Sequence, residues 1–140
     1  MLVRSRLLLP WVIVVAIVIV FEVVGRQLGF LSIPSLGYDK MLHFLAGGAC
    51  GIFGIATLKS ITLLEVEVLN FSHDTEDYNQ RVWLFAITTA IVIGVLWEVA
   101  QVYLPFMRDA SDLNWYDTVG DMVFDTIGGA IAGLAYQEKE

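Results

Sequence analysis

Asp117, Asp121 and Asp125 recur every four residues at the polar start of a glycine-rich apolar stretch spanning 117–133. On a helix this spacing sets three carboxylates in one slanting row. Carboxylates that enter an apolar membrane helix are costly unless paired, hydrated or bound to a cation. The chain offers partners: His43 with Asp39 four residues before it, Glu98 with Gln101, and Arg108. Carboxylates with one imidazole suit zinc, manganese or magnesium, and an open position on such an ion would take a phosphate or activate water. In this reading His43, Glu98, Asp121 and Asp125 hold the cation, and His43, Glu98 and Asp121 carry the catalysis. Asp39 orients the His43 ring from behind. Gln101, Arg108 and Asp117 meet the substrate, with Arg108 clamping an anionic headgroup. The other reading is a structural network without a reaction, in which His43 pairs with Asp121 and Gln101 bridges Glu98. Asp39 and Asp117 also read as helix caps.

The elements that must position these residues are membrane helices. Hydrophobic residues make up 57% of the 140-residue chain and charged residues only 16%, against roughly 45–50% and 25% in soluble domains. This length makes one domain, 1–140. Its fold class is all-α: a polytopic membrane protein with four transmembrane helices in a small bundle. The spans are about 8–24, 40–58, 82–104 and 118–136. Pro10 sits in the first turns of the first span, and no clear small-x-small cleavage site follows it. The second carries Gly47, Gly48, Gly51 and Gly54, small residues that let helices approach closely within one chain or between copies. Trp83 and Tyr103 flank the third as interface anchors, and Pro105 ends it. Residues 61–71 extend helix two or lie along the surface. The polar run from His73 to Asn79 reads as a solvated acidic loop in preference to a metal site.

The net charge of -7 excludes a basic nucleic-acid surface. The single Cys50 excludes an intrachain disulfide. Arg4, Arg6, Lys59, Arg81 and Lys139 fall on one side of four spans, and Arg26, Lys40 and Arg108 on the other, so both termini are expected in the cytoplasm. Asp39 and His43 then begin helix two at its outer end, Glu98 and Gln101 end helix three there, and the aspartate row starts helix four there. Asp125 lies about 12 Å along the axis from Asp117, and Glu98 about 9 Å below Leu104, so the depths agree.

Three pieces resemble the VanZ-like family of small membrane proteins. Asp39-Lys40-Met-Leu-His43-Phe44 is similar to its Asp-Lys-x-x-His-Phe element. Glu98-Val-Ala-Gln101, with Pro105 and Arg108 after it, is similar to its Glu-x-x-Gln helix end followed by an arginine. Asp121-Met-Val-Phe-Asp125-Thr-Ile-Gly128-Gly-Ala is similar to its Asp-x-x-x-Asn-x-x-Gly-Ala helix, with Asp125 in place of the asparagine. Trp115-Tyr116-Asp117 resembles an element of the related YjdF-like membrane proteins. The CDP-alcohol phosphotransferase motif fails here, because Gly120 directly precedes Asp121 and the Asp-Gly and Ala-Arg elements are missing.

The resemblance implies an envelope membrane protein of bacteria or archaea, its founding type associated with teicoplanin resistance. The expectation is a multi-pass cell-membrane protein with its polar site toward the extracytoplasmic side. It would carry out metal-assisted chemistry, with zinc, manganese or magnesium, on a lipid phosphate or lipid-linked envelope precursor. The alternatives are non-catalytic binding of a lipid, a glycopeptide antibiotic or a protein partner, and ion or proton conduction. The glycine-rich faces offer a route to a homo-oligomer. Conduction is disfavoured because the polar groups crowd one end.

Overall fold

The computed structural model describes residues 2–29, 37–64, 75–103 and 115–137. Four helices fill them: α1 Leu2–Leu28, α2 Tyr38–Leu64, α3 Thr75–Tyr103 and α4 Trp115–Ala135. No strand occurs among the described residues. Arg108 and Pro105 lie outside them, as do His73 and Asp74.

The helices outrun the apolar stretches that announce them. α1 begins at Leu2, so Pro10 lies about two turns inside it and not at its start. Residues 75–79 are helical and not loop. Glu76 and Asp77 sit in the first turn of α3, where the helix dipole favours acids, and Asp77 pairs with Arg81 one turn on at 2.9 Å. α2 continues to Leu64, so the first part of the 61–71 stretch extends helix two.

Gly29, with φ of 72°, follows the end of α1 in the left-handed conformation that commonly terminates helices. Gly37, with φ of 61°, precedes α2, and its carbonyl accepts the Met41 amide at 3.1 Å. Gly37 therefore takes the capping position expected of Asp39, and α2 starts two residues before Lys40. Asp39 lies within the first turn, its side chain released for other contacts. The same holds for Asp117, which lies in the first turn of α4 behind Trp115.

Contacts fix the directions. Trp11 meets Phe53 and Phe21 stacks on Tyr38, so α1 runs antiparallel to α2. The Tyr38 hydroxyl donates to the Phe21 carbonyl at 2.5 Å, tying the end of α1 to the start of α2. Gly128 abuts Phe44 and Gly51 abuts Gly129 and Ala132, so α2 and α4 run parallel. Glu98 meets Thr118 and Gly133 meets Trp83, so α3 runs antiparallel to α4. The start of α2, the end of α3 and the start of α4 share one end of the bundle.

Backbone proximity dictates the small residues. A Cβ on Gly128 would collide with the Phe44 carbonyl, and one on Gly47 with the backbone of Asp125. These contacts press α2 against α4, the close approach that small residues permit. At the end remote from the aspartate row, Ile55, Leu58, Val82 and Ala86 form an apolar cluster covered by Tyr78 and Tyr136.

The bundle is apolar outside, and at one end its interior is polar. Leu9, Ile19, Val20, Val92, Leu96, Ile131 and Leu134 are all more than half or close to half exposed, whereas Asp121 is 5% and Asp125 4% exposed. Tyr38–Lys59 and Glu76–Tyr103 are each long and apolar enough to cross a membrane, and α1 contributes a shorter apolar stretch, Trp11–Gly25. α4 carries its three aspartates in the first half. Three helix hydroxyls are satisfied within their own helices: Thr57, Thr89 and Thr126 donate to the carbonyls of Phe53, Phe85 and Met122.

Candidate functional site

The polar end of the bundle holds a connected network. The first two turns of α2 supply Asp39, Lys40 and His43, and α4 supplies Asp117, Asp121 and Asp125 at one-turn intervals. Because α2 and α4 run parallel and in register, successive turns of each face one another. Lys40 Nζ donates to Asp117 Oδ1 at 2.6 Å and to Asp121 Oδ1 at 2.5 Å. It also lies 3.3 Å from the Asp117 carbonyl and 3.4 Å from Asp39 Oδ2. One turn deeper, His43 Nδ1 lies 3.2 Å from Asp125 Oδ2. Its Nε2 faces Asp121 Oδ1 at 3.6 Å and Asp39 Oδ1 at 4.0 Å.

A gradient of exposure runs down the row. The carboxylates of Asp39 and Asp117 are 36% and 26% exposed, those of Asp121 and Asp125 only 7% and 5%. The network opens at the end of the bundle and closes toward its middle. Gly94 on α3 contributes to the closure: a Cβ there would stand 2.6 Å from Asp125 Oδ2. Asp125 is thus enclosed by His43 and Gly47 of α2 and Gly94 of α3.

Asp39, His43 and Asp121 each offer a ligand atom, and these lie within 4.8 Å of one another. Four aspartates surround one ammonium and one imidazole. Even with both of the latter charged, the group carries two negative charges in excess among the described residues. Two of the four carboxylates, Asp121 and Asp125, are buried, and buried charge is expensive in an apolar surround. A divalent cation would bring the group to neutrality, and its hard oxygen donors with one imidazole suit magnesium, manganese or zinc.

The residues singled out from sequence divide into three groups. His43, Asp121 and Asp125 come together with Asp39 and Asp117. Glu98 reaches α4 at a different point, accepting from Thr118 Oγ1 at 2.8 Å, while its Oε1 is buried with no hydrogen-bond partner among the described residues. Gln101 is half-buried, one turn from Glu98 toward the open end. Arg108 lies outside the described residues. Two participants were not foreseen, Lys40 and Thr118. Lys40 stands beside Asp39 at the helix end shared by the aspartate row, but a first-turn lysine is usually solvated and so carries no signal of its own. Thr118 carries none either.

The family model described as "Predicted membrane protein (DUF2238)" matches residues 2–138. The chain belongs to this family. No curated protein and no solved structure matches it. Membership in DUF2238 agrees with an apolar exterior around buried aspartates, and it makes this a membrane protein. The DUF2238 description names no activity, and the VanZ-like resemblance rests on the three short motifs alone.

Proposed function

We propose that this protein spans the cell membrane four times, with both termini cytoplasmic, and presents its polar site to the extracytoplasmic side. There it holds a divalent cation and acts on the phosphate of a lipid or lipid-linked envelope precursor. The observation that carries this reading is the charge excess of the Asp39–Lys40–His43–Asp117–Asp121–Asp125 group at one open end of an apolar bundle. An acidic group of this kind repels a phosphate by itself, so phosphate chemistry there requires a cation. Asp39, His43 and Asp121 are the ligands favoured by spacing, and Asp125 fixes the His43 ring through Nδ1, as carboxylates behind ligating histidines do. Glu98, whose Oε1 is buried with no hydrogen-bond partner among the described residues, is the carboxylate left over to act as the base. Gln101 and Asp117 lie toward the open end, and Arg108 is the cation that the sequence offers for the anionic headgroup. The three motifs similar to VanZ-like proteins support an envelope role.

A second reading, binding of a lipid or antibiotic headgroup without turnover, is favoured by the engagement of both His43 nitrogens with carboxylates. Conduction is opposed by the apolar Ile55–Leu58–Val82–Ala86 cluster at the other end, which leaves the polar row without continuation among the described residues.

The test is release of phosphate from lipid phosphates by the purified protein in nanodiscs, with manganese or magnesium supplied. Cation-dependent release that falls about a hundredfold or more in Glu98→Gln and His43→Ala is expected of a general base and a ligand. Lipid phosphate retained without turnover would establish the second reading. Neither retention nor release in any lipid would refute both.

A further inference from the structure

Lys40 was not assigned a task by the reading above, yet its ammonium occupies the middle of the site. Asp121 Oδ1 receives it at 2.5 Å, and the same oxygen faces His43 Nε2 at 3.6 Å. That oxygen belongs to the residue that, with Asp39 and His43, would hold the cation. A divalent ion and an ammonium sharing one carboxylate oxygen repel each other strongly in a partly buried setting. One of them must move, and the lysine is built to do so. Its stem crosses α4 at Gly120, where a Cβ would stand 3.2 Å from Lys40 Cε, so the helix leaves a channel for that side chain. The lysine side chain is 24% exposed and lies toward the open end, with Asp39 and Asp117. A flexible stem carrying a point charge suits an anionic oxygen arriving from that end.

We propose that Lys40 couples the two ligands of the site: its ammonium receives the phosphate oxygen, and its departure from Asp121 opens that carboxylate to the divalent cation. This rests on the reading of the site as a cation and phosphate centre. Lys40 is then a specificity-determining residue, because it resists a cation that arrives alone and admits one that arrives with a phosphate. The two sources of that phosphate, a lipid headgroup and free phosphate in solution, separate in the test.

The experiment is manganese binding, followed by the paramagnetic resonance of free manganese, to the full chain in nanodiscs. Three conditions are compared: phosphatidylcholine alone, the same with inorganic phosphate added, and phosphatidylcholine mixed with phosphatidic acid, each corrected with empty discs. Wild-type protein is expected to bind weakly in phosphatidylcholine and about tenfold or more tightly once phosphate is present. Tightening by phosphatidic acid alone identifies a lipid headgroup, and tightening by both phosphates identifies the shared group. Lys40→Met is expected to bind tightly in phosphatidylcholine and to gain nothing from phosphate. Lys40→Arg keeps the charge and should keep the coupling, and both variants are checked for helix content by circular dichroism.

If Lys40→Met binds manganese as wild type does while Asp121→Asn loses it, the cation site stands and the coupling is refuted. Phosphate tightening that persists in Lys40→Met, or is absent from wild type, refutes it equally. If wild type binds no manganese in any condition, or Asp121→Asn binds as well as wild type, the cation reading falls and the coupling with it.

Discussion

His43 and Asp125 form the deepest pair of the network, and removing either should reveal how the buried charges are balanced. Their side chains are 10% and 5% exposed, and Nδ1 lies 3.2 Å from Oδ2. Breaking a buried ion pair by deleting one partner costs about 3–5 kcal/mol in soluble proteins. Polar pairs between membrane helices are worth less, up to about 1.7 kcal/mol in mutant cycles. The two deletions are not equivalent here. His43→Ala leaves Asp121 and Asp125 both buried, with Lys40 alone opposing four aspartates. Asp125→Ala leaves three aspartates against two cationic groups, and His43 still faces Asp121 at 3.6 Å. His43→Ala should therefore be the more destabilising, by about 3 kcal/mol against about 1–2 for Asp125→Ala. The double variant should fall short of the sum by about 1–2 kcal/mol, because the second deletion removes a charge the first left stranded. The assay is equilibrium unfolding in mixed micelles of mild detergent and dodecyl sulfate, followed by far-ultraviolet circular dichroism. Equal costs that simply add would refute the argument that this imidazole balances buried carboxylates.

Further consequences are as direct. Gly128→Ala drives a Cβ into the Phe44 carbonyl, which cannot yield, and should lower stability by about 1–3 kcal/mol in the same assay. Gly48→Ala, whose Cβ would lie 3.7 Å from the Gly128 carbonyl, should be tolerated; equal loss in both would contradict the α2–α4 packing. In a Cys50→Ser background, Trp115→Cys should react with a membrane-impermeant maleimide added to intact cells, and Gln137→Cys should react only after lysis. The reverse pattern would invert the proposed orientation.

The sequence exposes the helices through their apolar runs and the site through chemistry that such runs do not normally contain. Asp121, Asp125 and Glu98 stand out because an acid in an apolar helix demands a partner. Direction follows from topology, which puts Asp39, His43 and the aspartate row at one end. The ends of the helices were less legible. Residues 75–79 look like loop by polarity, and only the Asp77–Arg81 pair and the first-turn acids explain why they coil. Asp39 looks like a cap until Gly37 is seen to supply the terminal carbonyl and release its side chain. Pairings between helices were the least legible part. The depths of Glu98 and His43 agree, but depth does not fix which side of α4 each one meets. Thr118 is the partner on the α3 side. Lys40 was hidden by its neighbour: a lysine in the first turn of a helix is usually solvated, and only the register of α2 against α4 brings it between Asp117 and Asp121.

The central claim is that this network holds a divalent cation, and metal content tests it most directly. Wild-type protein, His43→Ala and Asp121→Ala would be extracted in polymer discs that retain native lipid. Each would be equilibrated by dialysis without chelator against the same buffer containing magnesium and manganese, and analysed by elemental mass spectrometry. The account predicts about one equivalent of metal on folded wild-type protein and its loss from both variants. Metal-free wild-type protein, or equal retention by the two variants, would contradict it.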